Sequence, residues 1–155
     1  MIDQSRYLCL NLGHEEFAIP LLGVKEVIGL PDMTPIPQAP SHFAGIMNLR
    51  GQIISVMDLR VKLGIKGLVS SETTVIILDL GSSSLGVVVD QVNSVQVLTK
   101  EMIAEKPMIE QTKAHEYITG VFRRDEALIL VLDIAKALSV EDHSALRQQA
   151  QMKAA

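Results

Sequence analysis

A chain of 155 residues has room for one compact domain or two small interlocked lobes around a real core, and for nothing larger. Its hydrophobic share of 48% is carried by Val, Ile and Leu, with no Trp, three Phe and two Tyr, which favours sheet interiors over aromatic cages. With 14 basic and 18 acidic residues, a formal net of −4, the balance argues against nucleic acid and against an anionic membrane surface as partners.

The N-terminal stretch MIDQSRYLCLNL carries Asp3 and lacks an apolar run followed by a small-residue cleavage site, so no secretory signal is expected and a cytoplasmic location is. Tyr7 to Gly13, YLCLNLG, alternates with Leu8, Leu10 and Leu12 on one face, the period of a strand. The lone Cys9 lies inside it and is expected to be a small core residue, not a nucleophile. A glycine turn follows, EEFAI pairs back across it, and LGVKEVIGL continues as a third strand with Val24, Glu26 and Ile28 on one side. Four of the six prolines fall in PDMTPIPQAPSHFAG, which excludes a regular helix or central strand and predicts an ordered loop. GIMNL then turns at Arg50–Gly51 into QIISVMD, and a short helix ends the first half.

The second half repeats this order. Tyr7 to Gly13 aligns with Val75 to Gly81 (VIILDLG), and Phe17 to Pro20 with Leu85 to Val88, at an offset of 68; the block from Gly45 aligns with that from Gly120 at an offset of 75, with Asp58 on Asp133. Two constant offsets indicate a duplicated strand module with an insertion in the second copy. Leu85 to Asp90 and Val92 to Leu98 take the places of the second and third strands, Thr99 is expected to cap one helical turn before Pro107, and GVFRR turns at Asp125–Glu126 into ALILVLD before another short helix. Neither VIILDL nor LGVVVD reaches the roughly 20 apolar residues a bilayer span needs. Five short antiparallel strands per copy predict a small barrel, because closure removes exposed edges. Residues 140–155 are helix-permissive and are expected as a docked helix or a tail.

No catalytic constellation emerges. GSSSLGVV lacks the Lys-Ser/Thr and the following helix of a phosphate loop. His14, His42, His115 and His143 form no metal-ligand spacing and are expected to be solvent-exposed loop residues. Ser41–His42 has no glycine-flanked nucleophile beside it. The asymmetry between the copies says more: NLRG in the first replaces RRDE in the second, and Glu26 replaces Asn93 or Ser94. If Val24, Glu26 and Ile28 face outward they make an apolar strip containing one carboxylate, which Arg50 can reach from the neighbouring turn as a bidentate pair. The alternative is a solvated arginine beside an unrelated glutamate.

The run NLRGQIISVMDLR, preceded by PSHFAGIM and LCLNLGHEEFAIPLLGVKEVIG and continued by LGVVVDQVNSV and YITGVFRRDEALILVLDIAKAL, resembles the CheW family of bacterial chemotaxis coupling proteins over residues 6–138. The resemblance implies a single domain of mostly β structure, two interlocked five-stranded SH3-like β-barrels sharing an apolar core. Their lobes are expected at about 15–65 and 73–138, with the strand at 6–13 completing the core. It further implies a non-catalytic adaptor with no cofactor, located in the cytoplasm and recruited to receptor arrays at the inner membrane. Its partners would be the regulatory domain of a CheA-type histidine kinase and the cytoplasmic tip of methyl-accepting chemotaxis receptors. Arg50 matches the arginine of the family's Asn-Leu-Arg-Gly motif, with Asn48 at its start, and Glu26 the glutamate of the third strand; both belong to the partner-binding surface. Val24 and Gly45 fall where the receptor-facing groove lies. Arg123 and Arg124 depart from the family pattern. The readings left open are an adaptor of a non-flagellar chemosensory pathway and, from a different class, a small-molecule-binding double barrel.

Overall fold

A computed structural model of the protein describes residues 4–67, 71–81, 83–104, 117–139, 142 and 144–146. Its strands are β1 (Gln4–Leu12), β2 (Glu15–Pro20), β3 (Val24–Gly29), β4 (Phe43–Leu49), β5 (Gln52–Asp58), β6 (Thr74–Asp79), β7 (Ser84–Val89), β8 (Gln91–Thr99), β9 (Ile118–Arg124) and β10 (Ala127–Leu132). Two four-residue helices, α1 (Leu59–Lys62) and α2 (Ile134–Ala137), follow β5 and β10. Among the described residues no helix is long and apolar enough to cross a membrane.

The strands form two five-stranded sheets, ordered β8-β1-β2-β10-β9 and β3-β6-β7-β5-β4. Replacing each strand by its counterpart in the other copy converts the first order into the second, so the duplication holds in three dimensions. Its register does too: Tyr7 pairs with Pro20 as Val75 pairs with Val88, and Phe17 with Leu130 as Leu85 with Ser55. Asp58 and Asp133 stand on equivalent elements. Each caps its short helix through its side chain, and each donates its backbone N–H to the carbonyl of an equivalent residue, His42 or Tyr117.

The five strands of one copy do not, however, close on themselves. The chain crosses from one sheet to the other at Leu21–Gly23 and back at Asp90. One barrel therefore takes strands from residues 24–89 and the other from 4–20 and 91–132, ranges that do not coincide with lobes at 15–65 and 73–138. The hairpins β1–β2, β4–β5, β6–β7 and β9–β10 stay within a copy, whereas β1–β8, β2–β10, β3–β6 and β5–β7 all join one copy to the other. The parallel pairs β2–β10 and β5–β7 are the reason: no short turn can make them, so each recruits a strand distant in sequence.

Three apolar clusters follow from strand parity. Leu8, Leu10 and Leu12 face a shared core between the sheets, together with Phe17, Ile19, Ile76, Leu78, Leu85 and Val87. Cys9, on the opposite face of β1, is fully buried with Ala18, Phe122, Ile129 and Val131 inside the first barrel. Val75 and Ile77 do the same with Met47, Ile54 and Val88 in the second. The central strands are buried on both faces, which is why VIIL and LGVVV read as unbroken apolar runs. Burial pushes the Cys9 thiol up, with the Glu16 carboxylate adding to the shift, as suits a packing residue.

Thr99 stands at the N-cap of a 3-10 turn, Lys100–Met102, but makes no side-chain cap bond. Pro107, His115 and His143 lie outside the described residues. Within the C-terminal stretch, residues 142 and 144–146 are helical; Asp142 is fully buried and Leu146 packs against the shared core.

Because every joint between hairpins crosses the repeat, neither half can satisfy its strand edges alone. Residues 1–67 expressed separately are predicted to give no cooperative thermal transition by circular dichroism. Mixing them with residues 68–155 restores one. A cooperative transition in either fragment by itself would contradict the interleaved pairing.

Candidate functional site

Arg50 and Gly51 are the two loop residues of the β4–β5 hairpin, with φ of 52° and 86°, the double left-handed geometry of a type I′ turn. Glycine adopts it freely, but an arginine does so against its Cβ. Asparagine or aspartate is the usual occupant of such a position, and Asp125 at the equivalent turn has φ 55°. The Asn48 side chain secures the turn, its Oδ1 accepting the Gly51 N–H at 2.8 Å.

From this turn the Arg50 guanidinium reaches across the open seam of the second barrel, whose edges are β3 and β4. Its Nη1 donates to Glu26 Oε1 at 2.7 Å and its Nη2 to Oε2 at 2.8 Å, the bidentate fork expected from sequence. Arg50 is 70% exposed and Glu26 32% exposed in their side chains. The Arg50 hydrogen bonds hold the Glu26 carboxyl below the ordinary glutamate range, and Glu26 in turn raises Arg50.

The surroundings differ from the sequence expectation in one respect. On β3 Val24, Glu26 and Ile28 are half-buried and Lys25 and Val27 exposed, with Val24 against the shared core and Ile28 against the core of the second barrel. A β-bulge between Val24 and Glu26, opposite Leu78 and Ile77, turns the carboxylate toward the seam. Gly45 is buried under the proline loop, and its φ is 147°; a Cβ there would lie 2.5 Å from the Thr34 carbonyl oxygen, while Thr34 and Ile46 exchange backbone bonds at 2.9 Å. So Glu26, Arg50 and Asn48 form one cluster, whereas Val24 packs into the shared core and Gly45 lies under the proline loop.

The other barrel closes its seam differently. Arg124, at the end of β9, forks onto Glu16 of β2, and Asn93 of the opposite edge strand β8 donates to the same carboxylate at 3.1 Å. The bonds to Glu16 raise Arg124 against the effect of burial. Arg124 thus braces its own barrel.

Two further clusters escaped the sequence reading. Arg60 on α1 forks onto Asp58 (2.9 and 2.8 Å) and donates to the buried Asp90 at 2.8 Å, and Asp90 accepts the Gly13 N–H at 2.5 Å. His42 is not an exposed loop residue: its side chain is 16% exposed and its Nε2 lies 2.5 Å from Asp142 Oδ1, while Lys62 Nζ donates to Oδ2 at 2.7 Å. Burial works against the charged Asp142 carboxylate, but Lys62, the Ser139 amide and His42 outweigh it and hold it below the usual range. Ser139 and Asp142 also cap each other's backbone N–H, a capping box legible in the spacing Ser-x-x-Asp.

With this geometry in hand, comparison with known proteins is specific. The family model for the CheW-like domain matches residues 6–142. The chain is 40% identical over 139 residues to the chemotaxis protein CheW of Klebsiella aerogenes, covering 89% of this chain and 84% of that one. It is 32% identical over 145 residues to the chemotaxis protein CheW of Treponema pallidum, covering 90% and 85%. Among solved structures it is similar to the scaffolding protein TtCheW from Thermoanaerobacter tengcongensis, with a TM-score of 0.80 and 26% identity over 92% of this chain and 96% of that one.

The sign of the Glu26 shift fixes a pH response. A carboxyl depressed in the folded state contributes stability above the ordinary glutamate value, about 4.3, and loses it as pH falls toward the folded value. Carboxyl-detected NMR titration is predicted to find Glu26 titrating below free glutamate in the native chain and back in the ordinary range in Arg50→Ala. An identical Glu26 titration in both proteins would mean that the pair does not form in solution.

Proposed function

The chain belongs to the CheW-like family, and on that footing we propose that it is a non-catalytic adaptor that couples chemotaxis receptors to a CheA-type histidine kinase. It binds the kinase through the regulatory domain and the receptor through its cytoplasmic tip, in the cytoplasm, at receptor arrays on the inner membrane. The observation that carries the reading is the family match across residues 6–142 in a chain whose most distinctive surface group is a rigid, displayed ion pair.

The architecture suits an adaptor. Two barrels on one shared core offer two surfaces held in fixed relation, the property needed to join a receptor to a kinase. Glu26, Arg50 and Asn48 form the anchor of the partner surface on the second barrel, with Val24 and Gly45 beside it. An arginine already oriented by a bidentate carboxylate loses little side-chain freedom when covered, and arginine is enriched at interface hot spots. Its strained backbone fits the same role, since a disfavoured φ persists where the surroundings over-determine it.

Arg50→Ala removes the anchor without touching the three cores. It is predicted to leave the chemical denaturation midpoint almost unchanged, as exposed ion pairs contribute little. Its dissociation constant for a partner should rise roughly 30-fold, as at a hot spot. Glu26→Ala should weaken binding as well, and the double variant by less than the product of the two effects. Unchanged binding by well-folded Arg50→Ala would remove the anchor role. Failure of the native chain to co-sediment with either partner would remove the adaptor reading.

A further inference from the structure

Between the barrels, where β2, β6 and β10 end, lies a cleft of about 160 Å³ lined by Pro20, Leu78, Asp79, Leu80, Asp133 and Ala135, among others. The repeat gives it an internal counterpart. At the offsets of 68 and 75, Asp133 corresponds to Asp58, Asp79 to Asn11, and Ala135 to Arg60. In the counterpart the Arg60 side chain is tucked against Asp58 and Asp90, only 17% exposed. In the cleft that side chain is missing, because alanine stands at the arginine's position.

The carboxylates that remain are uncompensated. Asp133 accepts the Lys136 N–H at 3.3 Å through Oδ1, and Asp79 accepts the Gly81 N–H at 2.8 Å through Oδ1. Their second oxygens make no hydrogen bond, and neither has a cationic partner, among the described residues. The lining is otherwise mostly apolar. Leu22, next in sequence to the lining residue Gly23 and the counterpart of the buried Asp90, is 99% exposed.

We propose that this cleft receives an arginine side chain presented by a protein partner, with its guanidinium on Asp133 and Asp79 and its stem along the apolar lining, Asp133 taking the part that Asp58 has toward Arg60 and Asp79 supplying the second carboxylate that Asp90 supplies there. Arginine fits better than lysine because the counterpart uses a planar fork, and because a guanidinium is less strongly hydrated and so more easily taken into an apolar cleft. That the occupant is a protein rests on the adaptor reading; the cleft's affinity for a guanidinium does not.

The test is a ¹⁵N NMR titration of the full chain with Nα-acetyl-arginine amide, set against Nα-acetyl-lysine amide and the neutral isostere Nα-acetyl-citrulline amide. The arginine probe is expected to give saturating shifts at residues 79–81 and 133–135, and the other two to bind roughly tenfold or more weakly. Asp133→Asn, which keeps a capping side chain, should weaken the arginine probe by a similar factor. Ala135→Arg, which rebuilds the Arg60 arrangement from within, should abolish the probe's shifts and weaken one of the two protein partners at least tenfold. Should Ala135→Arg misfold, Asp133→Asn and Asp79→Asn decide by the same two readouts. Absence of saturating shifts in the cleft, or equal binding of arginine and citrulline probes, overturns the site. A saturable arginine site whose loss leaves both protein partners bound as before overturns the protein occupant. A chain that binds the probe as expected but neither partner upholds the cleft and removes the adaptor reading.

Discussion

Four backbone joints, β1 to β8, β2 to β10, β3 to β6 and β5 to β7, carry hydrogen bonds from one sequence repeat to the other, and neither barrel exists without them. They place β1, β2, β6 and β7 between two interiors, so that alternate side chains of one strand serve the shared core and a barrel core. Interiors packed in this way resist relative motion of the parts they join. For an adaptor the consequence is geometric: a surface on one barrel stays in fixed relation to a surface on the other.

The repeat also explains where polar groups concentrate. A barrel of five strands whose two edges are not joined by backbone bonds has a seam; in the second barrel Arg50 and Glu26 bridge it directly, and in the first Arg124 and Asn93 of the two edge strands both reach Glu16 on the central strand β2. In the first barrel the pair is partly covered and further held by Asn93, as a brace would be. In the second it is displayed on a strained turn, outside any core. The same contrast recurs between the barrels, where Arg60 fills one place and Ala135 leaves its counterpart open. The two ion pairs stand at non-equivalent positions of the repeat, since Arg50 corresponds to Asp125 and Arg124 to Leu49, so each barrel has acquired its own pair after the duplication.

Much of this was legible in the sequence, for physical reasons. Strand periodicity, a two-residue loop ending in Gly51 and the offsets of 68 and 75 are local or self-referential, and they gave the strands, the duplication and the Arg50–Glu26 pair. Which strand pairs with which is a different kind of information. The apolar pattern of β2 is satisfied equally by β3, its neighbour in sequence, and by β10, its neighbour in the sheet, so the exchange between copies was hidden. His42 and Asp142 are 100 residues apart, and nothing in SHFAG distinguishes a half-buried histidine from an exposed one. Asp90 is brought to Arg60 from 30 residues away by the crossover into β8, a contact with no local signature. The condition on which the outward strip depended, Val24, Glu26 and Ile28 facing out together, is not met, because a bulge separates the face of Val24 from that of Glu26.

Hydrogen–deuterium exchange on the chain alone and bound to a partner tests the joined-barrel adaptor most directly. The expected result has the amides of β1, β2, β6 and β7 opening together at the free energy of global unfolding, in both halves of the sequence alike. Partner binding would then add protection at residues 24–29 and 45–51 and leave those central strands unchanged. Two sets of central strands opening at clearly different free energies, or added protection confined to segments remote from Glu26 and Arg50, would contradict it.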